Sequence, residues 1–499
     1  MSALPIDAAP PSPSPDATAP TPAERLPLWA WALLGIAVTA MVNMRFNVAV
    51  LAWVSAVPWL IFLRRTEGWK ARVAFVGLLQ VAMFLSLLKI ITAPMPWFFA
   101  LMFSVPMGIG SALAFLAFEA MRRRLGEAWG LALFPAMAIA TDWLGAHGSE
   151  MGTWGAAAYT QLDNLALMQT VSLFGLSGVS GLIAMSSGLV AAALSTSQPG
   201  RYRVVALGTL GLVATAHAWG AWRLVQPPSG PMVTVATVVT DIAMGPDGSL
   251  PDDDAMAAAT DALFVRSTTA ADAGAQLVVW NEGALALDRD GEAALLRRAH
   301  RWSSQHHADL VMGYVVPLDG MARFENKYAW MTPDGLVEDY WKHHPVPSEG
   351  SVPGIDPYVA HDRPYGRAAG AICYDYDFPD VGQAHASLGI DLAVVPSSDW
   401  RGIDPIHSQM ATVRGIEGGY AVVRSVRAAT SMVSDAHGVV RGRASDLEGQ
   451  RLLVASVPVR RVPTLYGRIG DVVPAGAGLV LLLGSLTLAR RRFRGLRAA

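Results

Sequence analysis

Residues 368–379 read AAGAICYDYDFP, an apolar run that ends in Cys373 and continues into an acidic, aromatic stretch. Cys373 is the only cysteine among the 499 residues, so it has no partner within the chain for a disulfide. A lone thiol also makes a poor metal site. Two interpretations remain, because a free cysteine often packs as a small hydrophobe but can also act as a nucleophile.

Strand-like runs alternate with helical ones on both sides of this stretch, between residues 231 and 465. The predicted strands cover residues 231–240, 275–280, 309–316, 327–332, 369–373, 392–396 and 420–425, and the predicted helices cover residues 253–273 and 291–306. Such alternation is typical of an α/β domain.

Two further reactive residues lie in this region. Glu282 follows a predicted strand in VVWNEG, and Lys342 lies in YWKHHPVPSEG. Each alone is weak evidence, because a carboxylate after a strand or a lysine in a loop is usually solvated. Together with Cys373 they supply a thiol to attack, a carboxylate to accept its proton and a cation to stabilise an oxyanion. These three residues predict acyl-transfer chemistry.

The composition predicts an integral membrane protein. Hydrophobic residues make up 52% of the chain, charged residues make up 16%, and the mean hydropathy is +0.34. A membrane-spanning helix needs roughly 20 mostly apolar residues. We predict about eight spans, at residues 27–44, 46–63, 73–93, 97–118, 129–146, 174–194, 204–223 and 472–489.

Basic residues predict the orientation, because positively charged loops stay in the cytoplasm. They cluster in alternate connections, at residues 64–72, 122–124, 201–203 and 490–497. Counting spans from a cytoplasmic N-terminus places every cluster on the cytoplasmic side and residues 224–471 on the opposite face. A free thiol in that oxidising compartment is better explained by chemistry than by packing.

The net charge and the composition of the N-terminus argue against nucleic-acid binding and against a signal peptide. The net charge is −2 and no basic stripe is present, so nucleic-acid binding has no support. Residues 1–25 are rich in proline and alanine, with no basic start, which predicts a disordered tail rather than a signal peptide.

The order Glu282, Lys342, Cys373 resembles the carbon-nitrogen hydrolase (nitrilase) superfamily. The predicted membrane part and several strings narrow this resemblance to the apolipoprotein N-acyltransferase family. These strings are LAWVSAVPWL (51–60), GTWGAAAYTQLD (152–163), NKYAWMTPDG (326–335), QMATVRGIEGGYAVVRS (409–425) and TLYGRIGD (464–471). The resemblance covers nearly the whole chain after the tail.

The resemblance implies a bundle of about eight transmembrane helices that carries a nitrilase-like α-β-β-α sandwich between the seventh and eighth spans. Its parts would be the tail (1–25), a membrane domain with about seven helices (26–223), a periplasmic catalytic domain (224–466), and a last helix with a basic cytoplasmic tail (467–499). Such a protein would be a monomer in the bacterial inner membrane, with both termini cytoplasmic. It would need no cofactor and no metal.

The implied reaction has two steps. Cys373 would attack the acyl ester of a phospholipid, and the resulting thioester would pass its acyl chain to the amine of a diacylglyceryl-cysteine lipoprotein. Glu282 would be the general base. Lys342 would lower the pKa of the thiol and stabilise the oxyanion together with the backbone N–H after Cys373.

The resemblance also points to supporting residues. Glu349 resembles an additional glutamate of the family loosely. The alternative is that it is an ordinary acidic residue in a surface loop. Tyr374 and Asp375 follow the nucleophile directly. Trp400 and Tyr466 would form part of a lipid-facing entrance, or would anchor the chain at the membrane interface.

The chain departs from the family pattern around these residues. It has Asp375 in place of glutamate, Asn281 in place of proline and Ser398 in place of asparagine. Residue Ile406 stands before His407 where the family has glutamine, and an Asn-Thr-Gly-like turn is absent near residues 427–429. These departures keep two alternatives open, a membrane-anchored amidase or N-acyltransferase for another amine, and a non-catalytic scaffold.

Overall fold

The computed structural model describes residues 20–242, 250–319 and 322–498, so most of the predicted N-terminal tail lies outside the described residues. The first part of the chain is helical. Its helices are α1 (Leu28–Met41), α2 (Ala49–Ala52), α3 (Val57–Arg64), α4 (Gly68–Leu88), α5 (Phe98–Leu125), α6 (Glu127–Gly148), α7 (Leu165–Met168), α8 (Val171–Leu194) and α9 (Arg203–Leu224).

The second part of the chain is an α/β region, followed by a last long helix. Its strands are β1 (Met232–Val238), β2 (Leu277–Trp280), β3 (Asp309–Pro317), β4 (Phe324–Thr332), β5 (Gly335–Trp341), β6 (His361–Arg363), β7 (Gly366–Gly370), β8 (Leu392–Ser398), β9 (Ala421–Arg427), β10 (Thr430–Ser434), β11 (Val440–Ser445) and β12 (Leu452–Pro458). Its helices are α10 (Asp253–Asp272), α11 (Arg289–His306), α12 (Pro379–Leu388), α13 (Ile406–Gly418), α14 (Tyr466–Ile469) and α15 (Val472–Ala498).

Five helical stretches in the described residues are long and apolar enough to cross a membrane. They are Gly68–Leu88, Phe98–Leu125, Val171–Leu194, Pro199–Leu224 and Val472–Arg494. Two shorter apolar stretches, Leu28–Met41 and Ala49–Arg64, fall on the first two predicted spans. Each predicted span therefore overlaps a helix, and the count of eight spans stays a prediction.

Three of the four basic clusters meet at one end of the helical bundle. Arg64 and Arg122 both pair with Glu127. Arg491 of α15 donates to the backbone carbonyl of Arg124 at the end of α5, at 2.7 Å. Residues that are distant in sequence thus share one face, as expected if the positive charges lie on one side of a membrane.

The α/β region contains two six-stranded sheets packed face to face. Sheet 1 has the strand order β12-β1-β2-β3-β4-β5, and sheet 2 has the order β11-β10-β9-β8-β7-β6. Apolar side chains from both sheets form the core between them, including Val279 and Val311 from sheet 1 and Val394 and Val423 from sheet 2. Helices α10 and α11 cover the outer face of sheet 1.

Parallel pairing brings the candidate site together. Strands β1, β2 and β3 run parallel in sheet 1, and β7, β8 and β9 run parallel in sheet 2. The carboxyl ends of parallel strands meet at one edge of a sheet, where α/β proteins bind ligands. The two edges touch, because the backbone N–H of Glu282 after β2 donates to the carbonyl of Ser397 in β8 at 3.3 Å.

The other end of the helical bundle contacts the sandwich directly. The indole N–H of Trp400 donates to the carbonyl of Ile90 at 2.6 Å. Glu417 of α13 accepts from the backbone N–H of Leu176 in α8 at 3.1 Å. The loop between α6 and residue 157, which we call the 149–156 loop, reaches the turn after Cys373.

Candidate active site

The first group of charges at the strand ends is a buried lysine cluster, made of Glu282, Asn326, Lys342 and Glu349. The ammonium of Lys342 donates to Glu282 and to Glu349, both at 2.8 Å. The side-chain amide of Asn326 donates to the same two carboxylates, at 2.7 Å and 2.8 Å. Lys342 is 1% exposed, so two carboxylates compensate the charge that burial would otherwise penalise.

Backbone contacts hold these side chains in place. Lys342 follows β5, and its N–H donates to the carbonyl of Asn326 in β4 at 2.9 Å. Glu349 also accepts from the N–H of Val346 and the hydroxyl of Ser351, at 2.8 Å and 3.0 Å. The lysine cluster is therefore built from the ends of neighbouring strands of sheet 1 and the loop that follows them.

The electrostatics of the lysine cluster keep Lys342 and Glu349 charged. Burial disfavours the ammonium of Lys342, but Glu282 and Glu349 outweigh burial and raise its pKa well above the ordinary value. Burial raises the pKa of Glu349, but Lys342 outweighs that effect and holds the pKa below its usual value. Lys342 is thus a permanent cation, suited to stabilise an oxyanion.

Cys373 lies in a strained turn directly after β7. Its φ is +48°, a left-handed conformation that is uncommon for a residue with a side chain and is often found at functional sites. The side chain is 3% exposed. Burial, Glu282 and Asp399 raise the pKa of the thiol well above its ordinary value, against the opposing effect of Lys342 and Arg424. The thiol therefore rests protonated.

Asp375 ties this turn to the loop after Lys342. One carboxylate oxygen accepts from the backbone N–H groups of His343 and His344, at 3.0 Å and 2.7 Å. The other accepts from the N–H of Ile372 and the hydroxyl of Tyr340, at 2.9 Å and 2.8 Å. The buried aspartate thus fixes the nucleophile turn relative to the lysine cluster.

The 149–156 loop of the helical part packs on the other side of the same turn. The hydroxyl of Tyr374 donates to the carbonyl of Glu150 at 2.8 Å. The backbone N–H of Thr153 donates to the carbonyl of Asp377 at 2.9 Å. A Cβ on Gly152, whose φ is +54°, would lie 2.7 Å from that carbonyl oxygen. Only glycine fits this close approach.

A second charged group also contacts Cys373. This arginine cluster comprises Asp377, Asp399, His407 and Arg424. The guanidinium of Arg424 donates to both oxygens of Asp399, at 2.9 Å and 3.0 Å. It also lies 3.9 Å from the sulfur of Cys373, and a carboxylate oxygen of Asp399 lies 3.8 Å from that sulfur.

His407 joins the two carboxylates of the arginine cluster. Its Nδ1 lies 2.8 Å from Asp399, and its Nε2 lies 3.0 Å from Asp377. Burial alone would lower the pKa of His407, but these carboxylates outweigh burial and raise it to about 9. The two carboxylates therefore favour the imidazolium form, in which both ring nitrogens can donate.

Cys373, Asp399 and His407 also have the composition of a metal site, with possible ligand atoms within 4.8 Å of one another. The guanidinium of Arg424 already donates to both oxygens of Asp399 and approaches Nδ1 of His407 at 2.8 Å. A metal ion at this point would be repelled by that cation. The donor set therefore does not fit a metal.

The two predicted entrance residues lie apart from the lysine cluster. The indole of Trp400 packs in an apolar cluster with Ile90, Ile91 and Phe103. The hydroxyl of Tyr466 accepts from Gln383 and donates to Asp471, at 2.9 Å and 3.0 Å. Both side chains join the sandwich to the helical part.

Comparison with known proteins agrees with this two-part arrangement. Residues 30–189 match the apolipoprotein N-acyltransferase N-terminal domain, and residues 235–464 match the carbon-nitrogen hydrolase domain. The chain belongs to the apolipoprotein N-acyltransferase family. It is a bacterial, membrane-embedded protein with a nitrilase-like α/β domain.

Two relatives illustrate the extent of the match. The apolipoprotein N-acyltransferase of Gloeobacter violaceus is 27% identical over 87% of this chain and 89% of its own length. That of Geobacter metallireducens is 26% identical over 88% of this chain and 91% of its own length. Among solved structures, an amidase from Nesterenkonia sp. covers 50% of this chain and 98% of its own, with 16% identity and a TM-score of 0.41.

The departures from the N-acyltransferase pattern have local partners. The N–H of Asn281, which a proline would lack, donates to the carbonyl of Val238 at 3.2 Å. The side chain of Asn281 accepts from the N–H of Thr240 at 2.9 Å. Ser398 and Arg427 contact each other, because the guanidinium donates to the serine hydroxyl at 3.0 Å. Two of the departures thus form a single interaction.

Sequence reasoning missed four residues that the structure places at the site. Asn326, Asp377, Asp399 and Arg424 were not named as candidates, and His407 was noted only as a neighbour of a departure. Arg424 carried a usable signal, because an arginine inside the apolar run AVVRSV is rarely buried without a partner. The partner itself lies in a different element, so no local pattern identifies it.

Proposed function

We propose that this protein transfers a fatty acyl chain from a membrane phospholipid, through a thioester on Cys373, to the α-amino group of a diacylglyceryl-cysteine at the N-terminus of a lipoprotein. The observation that carries the proposal is a buried thiol beside a lysine bound by two carboxylates, in a turn on which a loop of the membrane-embedded part packs. Exclusion of water favours transfer of the acyl group over its hydrolysis.

In the first half-reaction Glu282 accepts the thiol proton, and the sulfur of Cys373 attacks the ester carbonyl carbon of the phospholipid. Lys342 and the backbone N–H of Tyr374 stabilise the oxyanion. The carbon–oxygen bond of the ester then breaks. The glycerol oxygen leaves with the proton from Glu282, and the lysophospholipid departs.

In the second half-reaction the lipoprotein amine attacks the thioester carbonyl, and Glu282 accepts a proton from its nitrogen. The carbon–sulfur bond breaks and the sulfur leaves as a thiolate. That thiolate takes the proton back from Glu282. The products are an N-acylated lipoprotein and the starting thiol, so neither redox chemistry nor nucleotide energy is required.

The supporting residues position these groups. We assign Glu349 to hold Lys342, Asp375 to hold the nucleophile turn, and Tyr374 to hold the 149–156 loop. These assignments rest on the hydrogen bonds of each side chain. Trp400 and Tyr466 are assigned to the junction with the membrane part.

The 149–156 loop separates two spaces of different polarity. A mainly apolar cavity of about 530 Å³ lies between α5, α6 and this loop. A cleft of about 830 Å³ lies on the other side, lined by polar residues such as His344 and Glu349. We propose that the acyl chain of the donor occupies the cavity and that the lipoprotein approaches through the cleft.

We further propose that the α/β region faces the periplasm. Three of the four basic clusters gather at the end of the bundle away from the sandwich, which supports a cytoplasmic position for that end. One chain supplies every residue of both clusters, so we expect a functional monomer. Protease digestion of intact spheroplasts should cleave residues 224–466 and spare the C-terminal basic tail.

The decisive experiment uses the purified protein in mixed micelles. The donor is phosphatidylethanolamine with isotopically labelled acyl chains, and the acceptor is a synthetic diacylglyceryl-cysteine peptide. We expect one labelled acyl chain on the peptide amine, detected by mass spectrometry. Without the peptide, we expect a hydroxylamine-sensitive acyl group on Cys373.

The Cys373→Ala variant is the control and should give neither product. Release of labelled free fatty acid at the same rate with and without the peptide would replace this proposal with a hydrolase. Acylation of a simple amine in preference to the peptide would keep the thioester but overturn the proposed acceptor.

A further inference from the structure

The arginine cluster has no part in the reaction as written above, although it contacts the reacting sulfur. Arg424 is 1% exposed and Asp399 is 7% exposed, so both charges are taken out of water. Burying charged groups beside a nucleophile is costly, and groups perturbed in this way cluster at functional sites.

We propose that Arg424 is a second catalytic cation for the sulfur of Cys373, and that Asp399, His407 and Asp377 are positioning residues that hold its guanidinium there. This inference rests on the proposed function and assigns residues that the lysine cluster leaves unexplained. Arg424 contacts the reacting atom itself, whereas the other three act through Arg424.

The chemistry needs a cation at two moments. The sulfur carries negative charge when the thiol has lost its proton, and again when it leaves as a thiolate from the thioester intermediate. Lys342 is already shared between two carboxylates. The guanidinium, 3.9 Å from the sulfur, offers a further N–H at the point where that charge develops.

The same cluster connects the sulfur with the membrane-embedded part. Asp377 accepts a hydrogen bond from the indole N–H of Trp154 in the 149–156 loop at 2.8 Å. Trp154 also lines the apolar cavity between α5 and α6. A contiguous series of contacts therefore runs from the cavity wall through Asp377, His407 and Asp399 to Arg424 and the sulfur.

The groups that face the sulfur are the anions Glu282 and Asp399 and the cations Lys342 and Arg424. Removing a cation and removing an anion should thus change thiolate formation in opposite directions. Structural damage would instead expose the thiol in both variants and move them in the same direction. This difference in sign provides the test.

The experiment measures alkylation of Cys373 by iodoacetamide as a function of pH, in detergent-solubilised full-length protein. Because the chain has a single cysteine, every alkylation event reports this thiol. Alkylation requires no acyl transfer, so its result stands even if the proposed substrates prove wrong. The micellar transfer assay, run in parallel, tests the proposed function separately.

Arg424→Lys should slow alkylation at a given pH by about tenfold, because the thiolate loses its aligned N–H and the pH profile moves upward. Arg424→Gln, which removes the cation but keeps an N–H₂ group that can donate to Asp399, should slow alkylation at least as much. Asp399→Asn should accelerate alkylation, because the amide oxygen can still accept a hydrogen bond from Arg424 while an anion near the sulfur is removed. An unchanged or faster rate in a folded Arg424 variant overturns the proposal.

Arg414→Lys is the matched control for the arginine. Arg414 lies in α13, is buried like Arg424 and pairs with the carboxylate of Glu417 at 2.7 Å. It is not among the groups that act on the sulfur. Its substitution should leave the alkylation profile unchanged. Equal slowing in Arg414→Lys and Arg424→Lys would reduce Arg424 to a structural role.

Trp154→Phe tests the connection to the membrane part. Loss of the hydrogen bond to Asp377 should slow alkylation about twofold to threefold, in the same direction as Arg424→Lys. Trp143→Phe is the control, because Trp143 donates to the carboxylate of Asp471, also at 2.8 Å. Equal profiles for the two tryptophan variants would disprove the connection.

Discussion

The lysine cluster and the arginine cluster make an instructive comparison. Sheet 1 and its loops supply Glu282, Asn326, Lys342 and Glu349, whereas the layer of sheet 2 and α13 supplies the arginine cluster and the nucleophile itself. Both clusters are buried, and each surrounds a cation with carboxylates. The sandwich therefore brings a separate cation to the thiol from each of its two layers.

The two clusters differ in what they contact. The loop that carries Glu349 lines the polar cleft of the α/β region, and the arginine cluster reaches the 149–156 loop of the membrane-embedded part. Under the two proposals above, the lysine cluster supplies the general base and the cation for the oxyanion, whereas the arginine cluster supplies a cation to the sulfur and connects it with the lipid-facing side. Substitutions in each cluster can therefore separate the two roles.

The largest effect is expected from Lys342→Met. The substitution removes the cation that stabilises the oxyanion and leaves two buried carboxylates unpaired. It should therefore lower the transfer rate by about a thousandfold. Lys327→Met is the control, because Lys327 is also buried and pairs with Glu292 and Asp339 at 2.7 Å and 2.9 Å. The folded fraction of Lys327→Met should retain the wild-type transfer rate in the micellar assay. A comparable loss in both variants would make Lys342 a structural residue.

The pH dependence of the wild-type thiol should also be large. The raised pKa of Cys373 means that the thiolate fraction is small at pH 7 and increases with pH up to the folded-state pKa. Alkylation by iodoacetamide should therefore rise about a hundredfold between pH 7 and pH 9. A plateau below pH 8 would show that the two cations outweigh burial and the two anions.

A smaller effect is expected from Glu349→Gln. The substitution keeps the shape of the side chain but removes one of the two charges that hold Lys342, so the transfer rate should fall about tenfold. Ser351→Ala removes only a neutral hydrogen bond to the same carboxylate and is the control. If Glu349→Gln retains full activity, Glu282 alone is sufficient to orient the lysine.

The smallest effect on catalysis, and mainly an effect on stability, is expected from Asp375→Asn. The amide would turn an N–H₂ group toward backbone or hydroxyl donors, which should lower the free energy of unfolding by about 2 kcal/mol. Denaturant unfolding in detergent measures this change. Asp362→Asn is the control, since the exposed Asp362 pairs with Arg367 at the surface and its substitution should change the stability little.

Two members of the lysine cluster were singled out from the sequence, Glu282 after a predicted strand and Lys342 in a predicted loop, whereas the strand β5 before Lys342 was not predicted. The family assignment was confirmed by comparison with known proteins. Glu349 was only loosely placed, and Asn326 was passed over because its strand pattern gives no reason to single it out. The assigned roles of these residues stay predictions.

The arginine cluster could not be assembled in the same way. Its members come from a turn, a strand end, a helix and a strand interior, and each is ordinary in its own local pattern. Trp154 is more than 200 residues away in sequence from Asp377 and belongs to the membrane-embedded part. Hydrophobic periodicity reports which face of an element is buried, but not which other element covers it.

The sequence by itself determined the two-part organisation, the apolar helices and the alternating strands, because these depend on composition and local periodicity, and it offered Cys373 as the candidate nucleophile because no other thiol is present. Only the tertiary structure decided that Cys373 adopts a left-handed turn, that a second cation contacts its sulfur, and that a loop of the membrane-embedded part packs on the turn that follows it. Those features depend on contacts between distant segments. The sheet topology and the burial of charge determine such contacts, and no short stretch of sequence encodes them.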